Sequence, residues 1–222
     1  MIGFWNYTIV LTFLGLVFSI FGMTQADANH MVIAVACLAA SGLCDAFDGR
    51  VAGTKTDRTQ KEVIFGIQLD SLCDVICFGI FPAVICYSSG VGHYIGGIAL
   101  SYYCICAVIR LAFFNTLETE KLGQEVKTEK VYHGLPITSI SIILPIIFFV
   151  CMVFVPEKAH PIVYTFMLFI VGTLFILDFK LKKPSLKQLI LIIVVVFIFV
   201  VASFVVFGLT KGGTASLFGF MH

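Results

Sequence analysis

Charge is scarce in this 222-residue chain: 12% of its residues are Asp, Glu, Lys or Arg, about half the share usual in a soluble domain. That deficit excludes a soluble globular enzyme and a disordered segment, both of which need charge to stay solvated. Net charge is nearly absent too, at +1, so no strong field draws an acidic partner and nucleic-acid binding is excluded. The apolar/polar alternation of barrel strands is missing, because runs such as Leu189–Val206 are continuously apolar. Cysteines number eight, but none lies outside an apolar stretch. They read as small packed hydrophobes rather than a disulfide framework. Met1–Trp5 has no Lys or Arg and no cleavage site follows, so the first apolar run is expected to be a retained span, not a signal peptide.

What the chain does have is apolar length. Hydrophobic residues make up 59% and the mean hydropathy is +1.05. About 20 apolar residues carry a helix across the hydrocarbon core. Seven stretches qualify, near 6–24, 31–50, 66–88, 94–116, 135–155, 160–178 and 187–209. The predicted fold is an all-α polytopic membrane bundle of about seven transmembrane helices, one integral membrane domain over 1–222. Its core is expected over about 5–178, with 187–209 as an additional span that has no internal charge.

Basic residues set the expected orientation. Arg50, Lys55, Arg58 and Lys61 follow the second span. Arg110, Lys121, Lys127 and Lys130 end the fourth, and Lys180, Lys182, Lys183 and Lys187 follow the sixth. These are alternate connections, as seven spans with a cytoplasmic N-terminus require. The segment 116–133 reads as a solvated connector or a short surface helix. Asn115, Lys127 and Lys130 are weaker candidates for a substrate contact, with ordinary loop polarity as the favoured reading, and the lysines of 180–187 read as an anchor against anionic headgroups.

Four acidic residues are out of place: Asp45 and Asp48 at the end of the second span, and Asp70 and Asp74 in the first half of the third. One Asp near the centre of a span costs roughly 2.5–3.5 kcal/mol, and four together repel. Asp45 and Asp48 are three apart and share a helix face, as do Asp70 and Asp74, four apart, with Gly66 one turn earlier. The two spans are sequential and antiparallel, so the pairs can meet. Converging carboxylates in a partly dry pocket suit one or two hard divalent cations, and a pair of such ions suits phosphoryl chemistry. Gly49, Ala52, Gly53 and Gly66 beside them either admit a flat base or diphosphate or serve close helix packing. Cys73 and Cys77, four apart, read as packing rather than half of a metal site. Arg110 is the basic residue within reach of the cluster.

The run Asp45-Ala-Phe-Asp48-Gly49-Arg50-Val51-Ala52, then Gly66-Ile-Gln-Leu-Asp70-Ser-Leu-Cys-Asp74, resembles the signature of the CDP-alcohol phosphotransferases. That signature is D-x2-D-G-x2-A-R, a spacer of about eight, then G-x3-D-x3-D. Two departures stand out: Gly53 occupies the position of the family's Arg, and the spacer is four residues longer. Lys55 or Arg58 in that longer loop is the expected substitute for the missing cation at the nucleotide's phosphates. Leu69–Asp74 continuing to Gly79, Arg110-Leu-Ala-Phe-Phe-Asn115 and Gly134-Leu-Pro136 resemble the phosphatidylserine synthase branch of that family, with Phe113 where an Arg is usual.

The resemblance implies that CDP-diacylglycerol and L-serine react to give phosphatidylserine and CMP, with Mg2+ or Mn2+, two ions, as cofactor. It implies Asp45, Asp48, Asp70 and Asp74 as metal ligands, with Asp74 also taking the serine proton. It implies Asp48, Gly49, Ala52 and Gly66 around the nucleotide. Arg110 is expected to hold the serine carboxylate; the alternative is snorkelling to the headgroups. A homodimer is implied as well. The expected location is integral to the bacterial cytoplasmic membrane, among membrane lipid, with the active site facing the cytoplasm. Two alternatives stand beside this reading: another acceptor (glycerol phosphate, inositol phosphate or choline), or a cation or proton transporter using the Asp cluster. A transporter would be expected to show repeated halves, and no repeat is visible.

Overall fold

The computed structural model describes residues 3, 4, 6–55, 57, 59–122, 131–182 and 185–210. Among the described residues, eight α-helices follow in chain order: α1 Val10–Asp27, α2 Met31–Ala52, α3 Gln60–Asp74, α4 Phe81–Ser88, α5 His93–Leu122, α6 Ile140–Phe154, α7 His160–Ile176 and α8 Leu186–Thr210. A π-helical segment, Val75–Ile80, fuses α3 and α4 into one span. Among the described residues, seven helical spans are therefore long and apolar enough to cross a membrane, the number expected from hydropathy. In lipid each backbone N–H and C=O must find its partner within the protein, and a helix provides that along its whole length.

The ends of the spans are closed by specific groups. Asn29, at φ 62, ends α1: its N–H donates to Ala26 O and that of His30 to Gln25 O, which returns the chain at once into α2. Thr59 and Glu62 form a capping box at the start of α3. That box is why α3 begins at Gln60 rather than near 66, as hydropathy suggested. His160 Nε2 lies 3.0 Å from Cys151 O and 2.9 Å from Val155 O, and so serves carbonyls at the end of α6.

Small residues set the helix spacing. Gly22 of α1 lies against the Phe81 ring and Cys37, and Ser19 Oγ of α1 donates to Ser41 Oγ of α2 at 3.0 Å. Gly42 of α2 faces Ser141 of α6, and Gly172 of α7 faces the Tyr102 ring of α5. The shared core includes Tyr103, Phe78, Phe81, Phe175, Leu38 and Leu144. All eight cysteines are free thiols. Helix α8 leans on α6 through the Phe149–Phe199 edge contact and packs on α2.

One feature lies outside the all-helical expectation. Strand β1, Val131–His133, pairs antiparallel with β2, Lys180–Lys182. Three-residue strands are too short for a hydropathy pattern to reveal them. The ribbon joins the α5–α6 and α7–α8 connections at one end of the bundle. Tyr7 OH, 2.9 Å from Thr54 Oγ1, joins the N-terminal segment to the α2–α3 connection. Of the 116–133 connector, α5 continues helical to Leu122 and 131–133 is strand; residues 123–130, with Lys127 and Lys130, lie outside the described residues.

Candidate metal centre

The last turns of α2 carry Asp45 and Asp48, and the middle and end of α3 carry Asp70 and Asp74. One carboxylate oxygen each from Asp45, Asp70 and Asp74 lies within 4.8 Å of the others. Asp48 stands beside this trio, near Asp70, and Thr12 Oγ1 of α1 donates to its carboxylate at 3.5 Å. Asp48 and Asp74 are each only 9% exposed. Asp70 Oδ1 is buried without a hydrogen-bond partner. An unpartnered buried acceptor costs about 1–3 kcal/mol, more when charged. Three converging carboxylates with an orphaned oxygen are a donor set that fits a hard divalent cation.

The segment after Asp74 explains how that residue is held. Pro82 has no N–H to offer the Phe78 carbonyl four residues earlier. The backbone widens there, with Phe81 N–H reaching Ile76 O, and the released Phe78 carbonyl accepts Tyr103 OH from α5 at 2.6 Å. Such π segments recur at functional sites. Cys77 lies within this segment beside Ser19 and Ser41. Neither Cys73 nor Cys77 joins a metal-ligating group among the described residues.

Gly49 faces open space: a Cβ there meets nothing within 4 Å. Ala52 and Gly66 are half-buried. Gly53 closes α2, its N–H donating to Gly49 O at 3.1 Å. Lys55 forms an ion pair with Glu62 (2.9 Å), while the other Glu62 oxygen accepts from Thr59 N (2.8 Å) and Thr59 Oγ1 (2.9 Å). Lys55 is thereby fixed to the start of α3. Arg58 lies outside the described residues.

Arg110 is 6% exposed, packed among the helices. Its Nε donates to Leu135 O at 3.0 Å. The Gly134–Pro136 segment that offers this carbonyl is clamped in turn: Gly134 N donates to Phe179 O (2.7 Å) and Leu135 N to Leu174 O (3.2 Å). Gly134 has φ +72, and a Cβ there would lie 2.7 Å from Leu177 O, so only glycine fits. Asn115 departs from its expected reading as loop polarity. It sits on α5, accepts from Ser71 Oγ (2.6 Å) and donates to Gln68 Oε1 (3.4 Å), both on α3. Neither Asn115 nor Thr12 is identifiable as a partner from sequence, because no periodicity reports which polar groups meet across helices.

The chain matches the family of CDP-alcohol phosphatidyltransferases over residues 5–208. A CDP-diacylglycerol–serine O-phosphatidyltransferase of Helicobacter pylori is 31% identical over 202 residues, 85% of this chain and 77% of that protein. One from Mycobacterium leprae is 36% identical over 104 residues, 46% of this chain and 33% of the relative. An archaetidylserine synthase of Methanothermobacter thermautotrophicus is 38% identical over 106 residues, 47% of this chain and 42% of the relative. The chain thus spans about a third of the length of the mycobacterial relatives it matches.

Proposed function

We propose, for a chain that belongs to the CDP-alcohol phosphatidyltransferase family, that it transfers the phosphatidyl group of CDP-diacylglycerol to L-serine, giving phosphatidylserine and CMP. The observation that carries this is the Asp45–Asp70–Asp74 cluster, assembled from residues of the signature. Relatives named for the serine reaction support the acceptor. Another alcohol in the same family is the remaining alternative; the family match does not favour a transporter.

Asp45, Asp48, Asp70 and Asp74 are the residues that would hold the cations, two Mg2+ or Mn2+ ions. When bound, such a pair screens the diphosphate and stabilises both the attacking and the leaving oxygen. Asp74 accepts the proton of the serine hydroxyl. The hydroxyl oxygen bonds to the phosphorus that carries diacylglycerol, the bond from that phosphorus to the bridging oxygen breaks, and CMP leaves with that oxygen. Asp48, Gly49, Ala52 and Gly66 border the cytidine, and the openness at Gly49 supports this.

Arg110 holds the serine carboxylate, with its Nε already fixed by Leu135 so that the guanidinium is oriented in advance. Charge-assisted bidentate contacts are worth about 1.5–3 kcal/mol. Arg110→Lys is therefore expected to raise the serine KM by roughly 10- to 100-fold with little change in the KM for CDP-diacylglycerol; steady-state kinetics check this, and an unchanged serine KM removes the assignment. Lys55 replaces the family's Arg at the diphosphate. Lys55→Ala is expected to weaken CDP-diacylglycerol about three- to tenfold, as one exposed charge contact would, with Lys55→Arg close to the parent. Equal affinity in Lys55→Ala would rule Lys55 out.

The Asp-bearing end faces the cytoplasm, and the N-terminus with it, because the basic connections gather there. The chain is one membrane unit whose catalytic core ends with α7, α8 being an addition. The bacterial cytoplasmic membrane and a homodimer belong to the same proposal and rest on the family resemblance. The function is tested by giving purified protein CDP-diacylglycerol with each candidate alcohol. Phosphatidylserine is the expected product, and a lipid formed from glycerol phosphate but not from serine would reverse the acceptor.

A further inference from the structure

We infer that Asn115 is a positioning residue for the metal centre, acting by fixing the rotation of α3. The inference rests on the metal reading proposed above and concerns a residue outside the cluster. Gln68 and Ser71 are three apart and share one face of α3. Both meet the Asn115 side chain of α5. Asp70 precedes Ser71 by one residue, so the two side chains leave the helix about 100° apart. Asp74, one turn on, continues the Asp70 stripe. One face of α3 is thereby tied to α5, while the adjacent face presents both carboxylates to Asp45 of α2.

Apolar packing fixes the spacing of a membrane helix but leaves room for small rotations. Interhelical hydrogen bonds add direction. The Ser71–Asn115 bond is short (2.6 Å) and Ser71 is buried, at 5% exposed, so water does not replace it readily. Above this bond, Thr59 and Glu62 fix only the start of α3. Below it, Tyr103 fixes the carbonyl of Phe78. Asn115 acts between those two anchors, at the level of Asp70. It touches no carboxylate in this account and reaches the chemistry only through the aim of Asp70 and Asp74.

The test is Mn2+ binding to purified protein in detergent, followed by electron paramagnetic resonance, with kinetics alongside. Asn115→Ala and Ser71→Ala are each expected to raise the Mn2+ Kd about tenfold, the lower end for outer partners of metal ligands. The double variant is expected to be no weaker than the weaker single one, since both remove the same bond. Ser71→Thr, which keeps the hydroxyl, should bind as the parent does. Excess Mn2+ should restore turnover in Asn115→Ala with the serine KM unchanged. Unchanged Mn2+ affinity in Ser71→Ala overturns the inference even if Asn115→Ala does not fold. A change confined to the serine KM also overturns it, by making Asn115 a substrate contact. Absence of Mn2+ binding by the parent protein sinks the metal reading itself, and this inference with it.

Discussion

Asp74→Asn is expected to lower kcat by roughly 10²–10⁴, the range that a positioned general base contributes, while CDP binding stays within a few-fold of the parent. Asn matches Asp in shape, so the buried site at the end of α3 keeps its packing. What it loses, on the proposed reading, is the capacity to take the serine proton and the negative charge that would help hold a cation. The π segment beginning at Val75 holds the residue through Tyr103, and that anchor survives the substitution. Measuring kcat and CDP affinity on the same preparation separates chemistry from binding. A kcat within tenfold of the parent would falsify the base assignment.

Asp70→Asn carries the second large effect, and it moves stability and activity in opposite directions. Asp70 lies beside Asp45 and Asp74 and near Asp48, with one oxygen unpartnered. Removing its charge without a metal relieves like-charge repulsion, and the new amide can donate to a neighbouring carboxylate. The metal-free protein is therefore expected to gain about 1–2 kcal/mol, seen as a higher Tm in chelator. With metal, on the proposed reading, the same change would remove a direct ligand. Loss of an outer partner alone costs 10- to 100-fold, so turnover should fall by roughly 100-fold or more and the parent's Mn2+-dependent rise in Tm should shrink. A metal-free Tm lower than the parent's, or undiminished Mn2+ stabilisation, would count against the cluster as a cation site.

Much of this was legible in the residues themselves. Seven spans follow from apolar length alone, because lipid imposes one requirement on every backbone group. The four Asp were visible because a carboxylate in an apolar span is costly enough to need a reason. That the Asp-bearing ends of α2 and α3 converge was suggested by the short connection between them. Less accessible were features set by single contacts between distant segments. The early start of α3 was hidden because Gln60–Glu62 is polar and hydropathy reads it as loop; the Thr59-x-x-Glu62 capping box was the signal available. The π segment was foreshadowed only by Pro82, four residues after Phe78. Lys55 was foreseen as a loop cation, but its pairing with Glu62 was not. The partners of Asn115 were hidden because Ser71 and Gln68, 44 and 47 residues away, carry no mark that they face it.

The most direct test of the account quantifies CMP and phosphatidylserine in one reaction of the purified protein with CDP-diacylglycerol and L-serine. The account predicts the two products in a one-to-one ratio, none of either after chelation, and recovery on adding Mg2+ or Mn2+. CMP without phosphatidylserine, or phosphatidylserine formed at an undiminished rate in chelator, would contradict it.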